Sequence, residues 1–153
     1  MPIRPVHTSV RDFLVDEKRS GEYAVILKEG HQMLGIGTLQ LMITDLHFNM
    51  CNLESSYLLN SQVENLSERI TQNISPDLSY ACHFWGSHII YSQSDTIFAP
   101  LLRKFLTTEV LLFWMEVLGI LGKVDVVSET AKVLLDFTNS VVCIHAILDD
   151  MEC

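Results

Sequence analysis

A chain of 153 residues is long enough for one domain, or for one small domain plus part of another, and a complete fold of that size buries roughly two thirds of its unfolded surface. Hydrophobic residues make up 48% and mean hydropathy is +0.26, so part of the apolar surface is expected to lie against further chain, with self-association as the consequence in isolation. The formal net charge of −9, from 19 acidic and 10 basic residues with no basic run longer than Lys18-Arg19 or Arg103-Lys104, argues against nucleic-acid backbones and anionic membrane surfaces as partners.

Residues 1 to 16 read as an extended entry, Ile3-Arg4-Pro5-Val6, followed by a short helix for which Thr8 or Ser9 can serve as N-cap. Glu22 to Leu27 reads as a brief strand or extended segment. Residues 29 to 51 are expected to be helical on the spacing of Leu34, Leu39, Met42 and Leu46, although Gly35 and Gly37 each cost about 1 kcal/mol of helix propensity relative to Ala. Asn52 to Val63 is polar and turn-rich, and a short helix follows at 64 to 72.

Ser75-Pro76-Asp77 combines three helix-start signals: a serine N-cap, a proline where no amide partner is needed, and an aspartate at the positive end of the dipole. Leu78, Ala81, Cys82, Trp85 and Ile89 then share one helical face. After a loop near Ser92 to Ser94, Asp95 to Thr107 and Glu109 to Leu121 read as two helices or one kinked helix, ended by Gly122. Twelve of the first seventeen residues of Phe105 to Gly122 are apolar and not confined to one stripe, the mark of a helix buried on several sides. The last segment, 125 to 150, places Asp125, Glu129, Lys132 and Asp136 on one face and Val127, Ala131, Leu134, Val141 and Leu148 on another. The expected fold is mainly α, with a core organised around Trp85, Phe113 and Trp114.

Chemical motifs are scarce. No phosphate-binding P-loop is present, and Gly35-Ile36-Gly37 lacks the context of a dinucleotide fingerprint, so the chain is not expected to bind a nucleoside triphosphate or to be an enzyme. His47 and Cys51 are four apart, compatible with half a zinc site on one helical face, but no second ligand pair stands at finger-like spacing, so no metal is expected. His83 and His88 are separated by about 140° around a helix and do not converge. No GxSxG frames a serine. Asn65-Leu66-Ser67 and Asn73-Ile74-Ser75 match glycosylation acceptors but read as helix caps and turns. Cys51, Cys82, Cys143 and Cys153 are widely spaced in apolar contexts, as reduced thiols of a cytoplasmic protein would be. No window reaches the length of about 18 uncharged apolar residues that a membrane helix needs, since Glu109, Glu116 and Lys123 interrupt the greasiest stretch.

Four blocks carry a resemblance. They are Val6-His7-Thr8-Ser9-Val10-Arg11-Asp12-Phe13-Leu14, then Leu46 to Ser56 (LHFNMCNLESS), then Ile74 to Trp85 (ISPDLSYACHFW), and Phe105 to Val124. In order and spacing they resemble the region after the nucleotide-binding core of the large fungal NACHT-type NTPases, NLR-like proteins that often carry WD repeats. The first block is also similar to the end of the winged-helix domain of signal-transducing NTPases in general. The resemblance implies a partial winged-helix remnant over 1–28 and a helical domain over 29–153, a fragment without the NTPase core. It implies a non-catalytic relay between that core and C-terminal repeats, in self/non-self recognition or cell-death signalling. In such proteins a histidine reaches the β-phosphate of bound ADP and holds the closed state, and His7 matches it. No cofactor is implied for this chain itself, whereas ADP/ATP or GTP is implied for the missing core. A freestanding helical adaptor that grips a partner helix in a groove is the other reading, and a small metal-dependent enzyme using His47, Cys51, His83 and His88 stands far behind both.

Overall fold

A computed structural model describes residues 7–90 and 97–137, and these are mainly helical, with no strand among them. The expected entry at 3 to 6, the loop near Ser92 to Ser94 and the end of the last helix, with Val141 and Leu148, lie outside the described residues. The helices are α1 (Thr8–Leu14), α2 (Glu17–Ser20), α3 (Leu27–Asp45), α4 (Leu66–Asn73), α5 (Pro76–Ile89), α6 (Phe98–Thr107), α7 (Val110–Ile120) and α8, helical from 125 to 137. None of the described helices is long and apolar enough to cross a membrane.

Of the strand or extended segment expected at Glu22 to Leu27, the structure holds the extended form in part: a 3-10 turn, Gly21–Tyr23, leads into extended backbone at Ala24 and Ile26, with no strand. A strand needs a neighbouring strand to share its hydrogen bonds, whereas the Val25 amide turns back to the Leu14 carbonyl at the end of α1, at 2.7 Å. α3 then begins at Leu27 and ends at Asp45, six residues short of the expected end. Beyond it the backbone turns through Asn49 and Asn52, both left-handed at φ 54° and 50°. Asparagine tolerates that conformation because its side chain bonds locally. The Asn49 side chain does so, accepting from the Leu53 amide at 2.7 Å and donating to the Leu53 carbonyl at 3.0 Å. The turn thereby buries Leu46, Met50 and Cys51 against the core.

α5 starts as its sequence dictates, with Ser75 Oγ accepting from the Leu78 amide at 3.1 Å and Pro76 in the first turn. Leu78, Ala81, Cys82, Trp85 and Ile89 are all buried. α3 packs mainly on α5 and next on α6, while α7 touches α3, α5 and α6, so α3 and α5 form the central pair. α6 and α7 are separate helices, broken at Thr108 and Glu109. Gly122, at φ 66°, closes α7 in a Schellman motif: its amide bonds the Gly119 carbonyl at 3.1 Å and the Lys123 amide bonds that of Leu118 at 2.8 Å.

Several sequence-based placements are corrected by the packing. Leu34 is exposed, because the buried face of α3 runs through Gly35, Thr38, Leu39 and Met42. α7, expected to be buried on several sides, buries Val110, Trp114, Val117, Leu118 and Ile120, half-buries Leu111 and Phe113, and leaves Leu112 and Met115 exposed. The core aromatics are Trp85, Phe98, Phe105 and Trp114, while Phe113 is only partly buried against the core. Trp85 stacks edge-to-face on Phe105 at 4.7 Å and on Trp114 at 5.6 Å, and Phe105 meets Trp114 at 5.9 Å. Such perpendicular pairs set the positive ring edge on the negative face. On α8, Asp125, Glu129, Lys132 and Asp136 are exposed as expected, but Ala131 is exposed too, and the buried positions are Val126 and Thr130.

Candidate functional site

His7 stands at the amino end of α1 and is itself the N-cap, a place expected for Thr8 or Ser9. Its Nδ1 accepts from the Ser9 amide at 3.1 Å, with Ser9 Oγ at 2.9 Å. An imidazole nitrogen that accepts an amide carries no proton, so the neutral ring is fixed in the tautomer with its proton on Nε2. His7 is therefore an exposed side chain with a defined outward donor. Exposed apolar side chains follow it in the chain, interspersed with charged ones. α1 has no buried residue, and Val10, Phe13, Val15, Tyr23, Val25 and Ile26 are all exposed, since α1 and α2 pack chiefly on each other and on the 21–23 turn.

A second constellation joins α3 to α5. His31 and His88 approach with their Nδ1 atoms 2.9 Å apart, and the Tyr80 hydroxyl lies 3.0 Å from His88 Nε2. His88 is only 5% exposed, so its ring nitrogens depend on these partners rather than on bulk water. Burial, and then the neighbouring His31, hold His88 below the ordinary imidazole range. The unfolded chain therefore binds a proton at His88 at a higher pH than the folded chain does. The linked stability is present above the ordinary value of 6.5 and is lost as pH falls from there through the lower folded value. Urea midpoints measured from pH 7.5 to 5 should fall for the parent and fall less steeply for His88→Gln; identical slopes would remove His88 as a source.

No signal in the sequence brings these groups together. His31 lies 57 residues from His88 and is not singled out by any spacing. Only the geometry of α3 against α5 makes them neighbours. The histidines that spacing did single out behave otherwise: His47 is exposed and lies beyond the end of α3, Cys51 is fully buried, and the two share no helical face. His83 is half-buried and stacks on Phe84 at 4.6 Å, away from any pairing with His88. Among the described residues no group of three or more His, Cys, Asp or Glu converges.

Both described cysteines are buried and unpaired. Burial pushes the Cys82 thiol up to about 12, and burial followed by the Glu116 carboxylate raises Cys51, with Arg69 opposing. Thiols so disposed are poor nucleophiles and behave as small hydrophobes.

The 46–62 turn and the end of α7 border a groove of about 790 Å³ lined by Phe48, Leu53, Tyr57, Leu58, Glu116 and Ile120, among others. Its walls are tied by Asn60, whose side-chain amide donates to the Gly119 carbonyl at 2.8 Å and the Ile120 carbonyl at 3.3 Å, and by the Asn49 amide, which donates to Glu116 Oε2 at 3.3 Å. Arg69 braces the other side, donating to the Asn52 carbonyl at 2.7 Å and pairing with Glu54 at 2.6 Å.

Comparison of the chain with models of known protein families, with curated proteins and with solved structures finds no match.

Proposed function

We propose that this chain is a non-catalytic relay segment of a NACHT-type, NLR-like signalling NTPase of the cytoplasm. It couples the nucleotide state of an NTPase core to C-terminal repeats in self/non-self recognition or cell-death signalling. The observation that carries this reading is the set of exposed apolar side chains between residues 10 and 26, which follow a histidine whose Nδ1 is occupied as an acceptor, leaving Nε2 as the donor. Apolar surface of that kind is where a neighbouring domain docks. The core, with ADP/ATP or GTP bound, is that neighbour, and a second copy is the competing occupant when the core is missing. The four-block resemblance over 6–14, 46–56, 74–85 and 105–124 supplies the identity of the core.

In the intact protein His7 donates from Nε2 to the β-phosphate of ADP, while Nδ1 keeps its place as the cap of α1. Loss of ADP thus changes what holds the amino end of this segment, and the relay begins there. A hydrogen bond to an anionic phosphate contributes about 1.5–3 kcal/mol, so His7→Ala should speed ADP release from the intact parent protein about ten- to a hundred-fold. The population should shift towards the open form rather than unfold. ADP off-rates measured at matched folding stability test this, and equal rates would leave His7 as a helix cap alone.

A freestanding adaptor is the second reading, favoured by the groove beside Phe48 and Tyr57, which are 75% and 94% exposed. On that reading His7→Ala leaves the function intact, whereas Phe48→Ala with Tyr57→Ala abolishes partner binding.

A further inference from the structure

We propose that the groove between the 46–62 turn and the end of α7 binds a segment of another protein in which a lysine or arginine stands between apolar residues. This deepens the adaptor reading and rests on it, and it is independent of the relay at His7. Charge complementarity names the partner. Glu54 and Glu116 line the groove, and among the described residues no lysine, arginine or histidine lines it. α7 ends in its wall at Gly119 and Ile120, so the negative end of that helix's dipole adds to the two carboxylates. Lys123, beyond the Gly122 turn, is outside the lining. The groove therefore attracts a cation and repels an anion.

The two carboxylates differ in the bonding capacity they have left. Glu54 is taken by Arg69 at 2.6 Å. Glu116 is half-buried and accepts the Asn49 amide on Oε2 at 3.3 Å, while its Oε1 accepts no hydrogen bond among the described residues. An ionised carboxylate accepts several hydrogen bonds, so Glu116 keeps capacity for an ammonium or a guanidinium. Phe48 and Tyr57 line the same groove and are largely exposed. Aromatic faces attract such a cation and cover its aliphatic stem, and Leu53, Leu58 and Ile120 supply apolar wall for its neighbours. A volume of about 790 Å³ falls among the roughly 300–1,000 Å³ of ligand pockets, room for a few side chains of an inserted segment. Because Asn60 and the Asn49 amide already tie the walls to α7, little has to be ordered when that segment binds.

The test selects phage-displayed random dodecapeptides on the immobilised full chain, with the Phe48→Ala, Tyr57→Ala double variant as counter-target. Enriched clones should share a lysine or arginine with leucine, isoleucine or phenylalanine close on both sides. The synthetic consensus peptide, followed by fluorescence anisotropy, should lose about tenfold in affinity when its cation is replaced by glutamine, and about tenfold on the Glu116→Gln chain. The two losses should not add, because both remove the same contact. Clones that need Phe48 and Tyr57 but share no cation would overturn this inference and leave the adaptor reading standing, whereas no enrichment over the double variant would sink both. Glu116→Gln binding the cationic peptide as tightly as the parent would also overturn it; where circular dichroism shows that variant unfolded, the glutamine peptide on the parent chain decides. Self-association of the parent in sedimentation velocity that the double variant loses would assign the groove to a second copy and overturn it as well.

Discussion

Trp114→Ala is expected to lower the free energy of unfolding by about 3–5 kcal/mol, a large part of the roughly 5–15 kcal/mol that a typical domain possesses. Two losses combine. The indole leaves a cavity between Trp85 and Phe105, and the buried Cys82 carbonyl loses the Trp114 Nε1 donor at 2.8 Å. Leu112→Ala on the same helix is the control, because Leu112 is 64% exposed and its truncation should stay within about 0.5 kcal/mol. Urea midpoints of the two variants measure the contrast. A midpoint for Trp114→Ala equal to that of Leu112→Ala would mean that α7 faces the other way.

Gly86→Ala should be destabilising by about 1–3 kcal/mol, against the usual gain of about 1 kcal/mol when alanine replaces glycine inside a helix. The sign turns on Thr130. A methyl group at position 86 would lie 2.7 Å from Thr130 Oγ1 and 2.9 Å from its Cγ2, closer than real atoms pack, and Thr130 is itself buried. Thr130→Ala should rescue most of the loss, since it removes both of those atoms and leaves only Cβ at 3.2 Å. A double-mutant cycle isolates that coupling. Gly37→Ala provides the opposite case: it sits within α3 with nothing near the added methyl group, and should stabilise. If Gly86→Ala and Gly37→Ala shift the melting temperature in the same direction, α8 does not press on α5 through Thr130.

Signals that are local in the chain were legible in the sequence. Ser75-Pro76-Asp77 and Gly122 mark helix ends because capping uses groups within a few residues of one another, and the structure places both as read. The apolar face of α5 was legible for the same reason, through its 3.6-residue period. Periodicity failed where the apolar residues do not form one stripe. Leu34 fits the spacing of α3 but lies beside the buried stripe, and in α7 the excess of apolar residues concealed which face turns inward. Phe105 of α6, rather than Phe113 of α7, joins Trp85 and Trp114: the break between the two helices was legible, but which ring reaches the cluster is decided by tertiary packing. His31 with His88 was illegible on principle: the pair exists only through tertiary packing.

The irregular turn after α3 has a consequence for the order in which the molecule assembles. Its ties to the end of α7 span 67 residues at Asn49–Glu116 and 59 at Asn60–Gly119, whereas Arg69 closes on Asn52 across only 17. Closing a long loop costs more chain entropy than closing a short one, and that cost falls before the contact can compensate it. The Arg69 side of the turn can therefore set while α4 and α5 form, but its other side has to wait until α6 and α7 have docked. The Asn49 side chain bonds Leu53 within the turn itself and needs none of them, so the turn is a latch whose far side the later helices close.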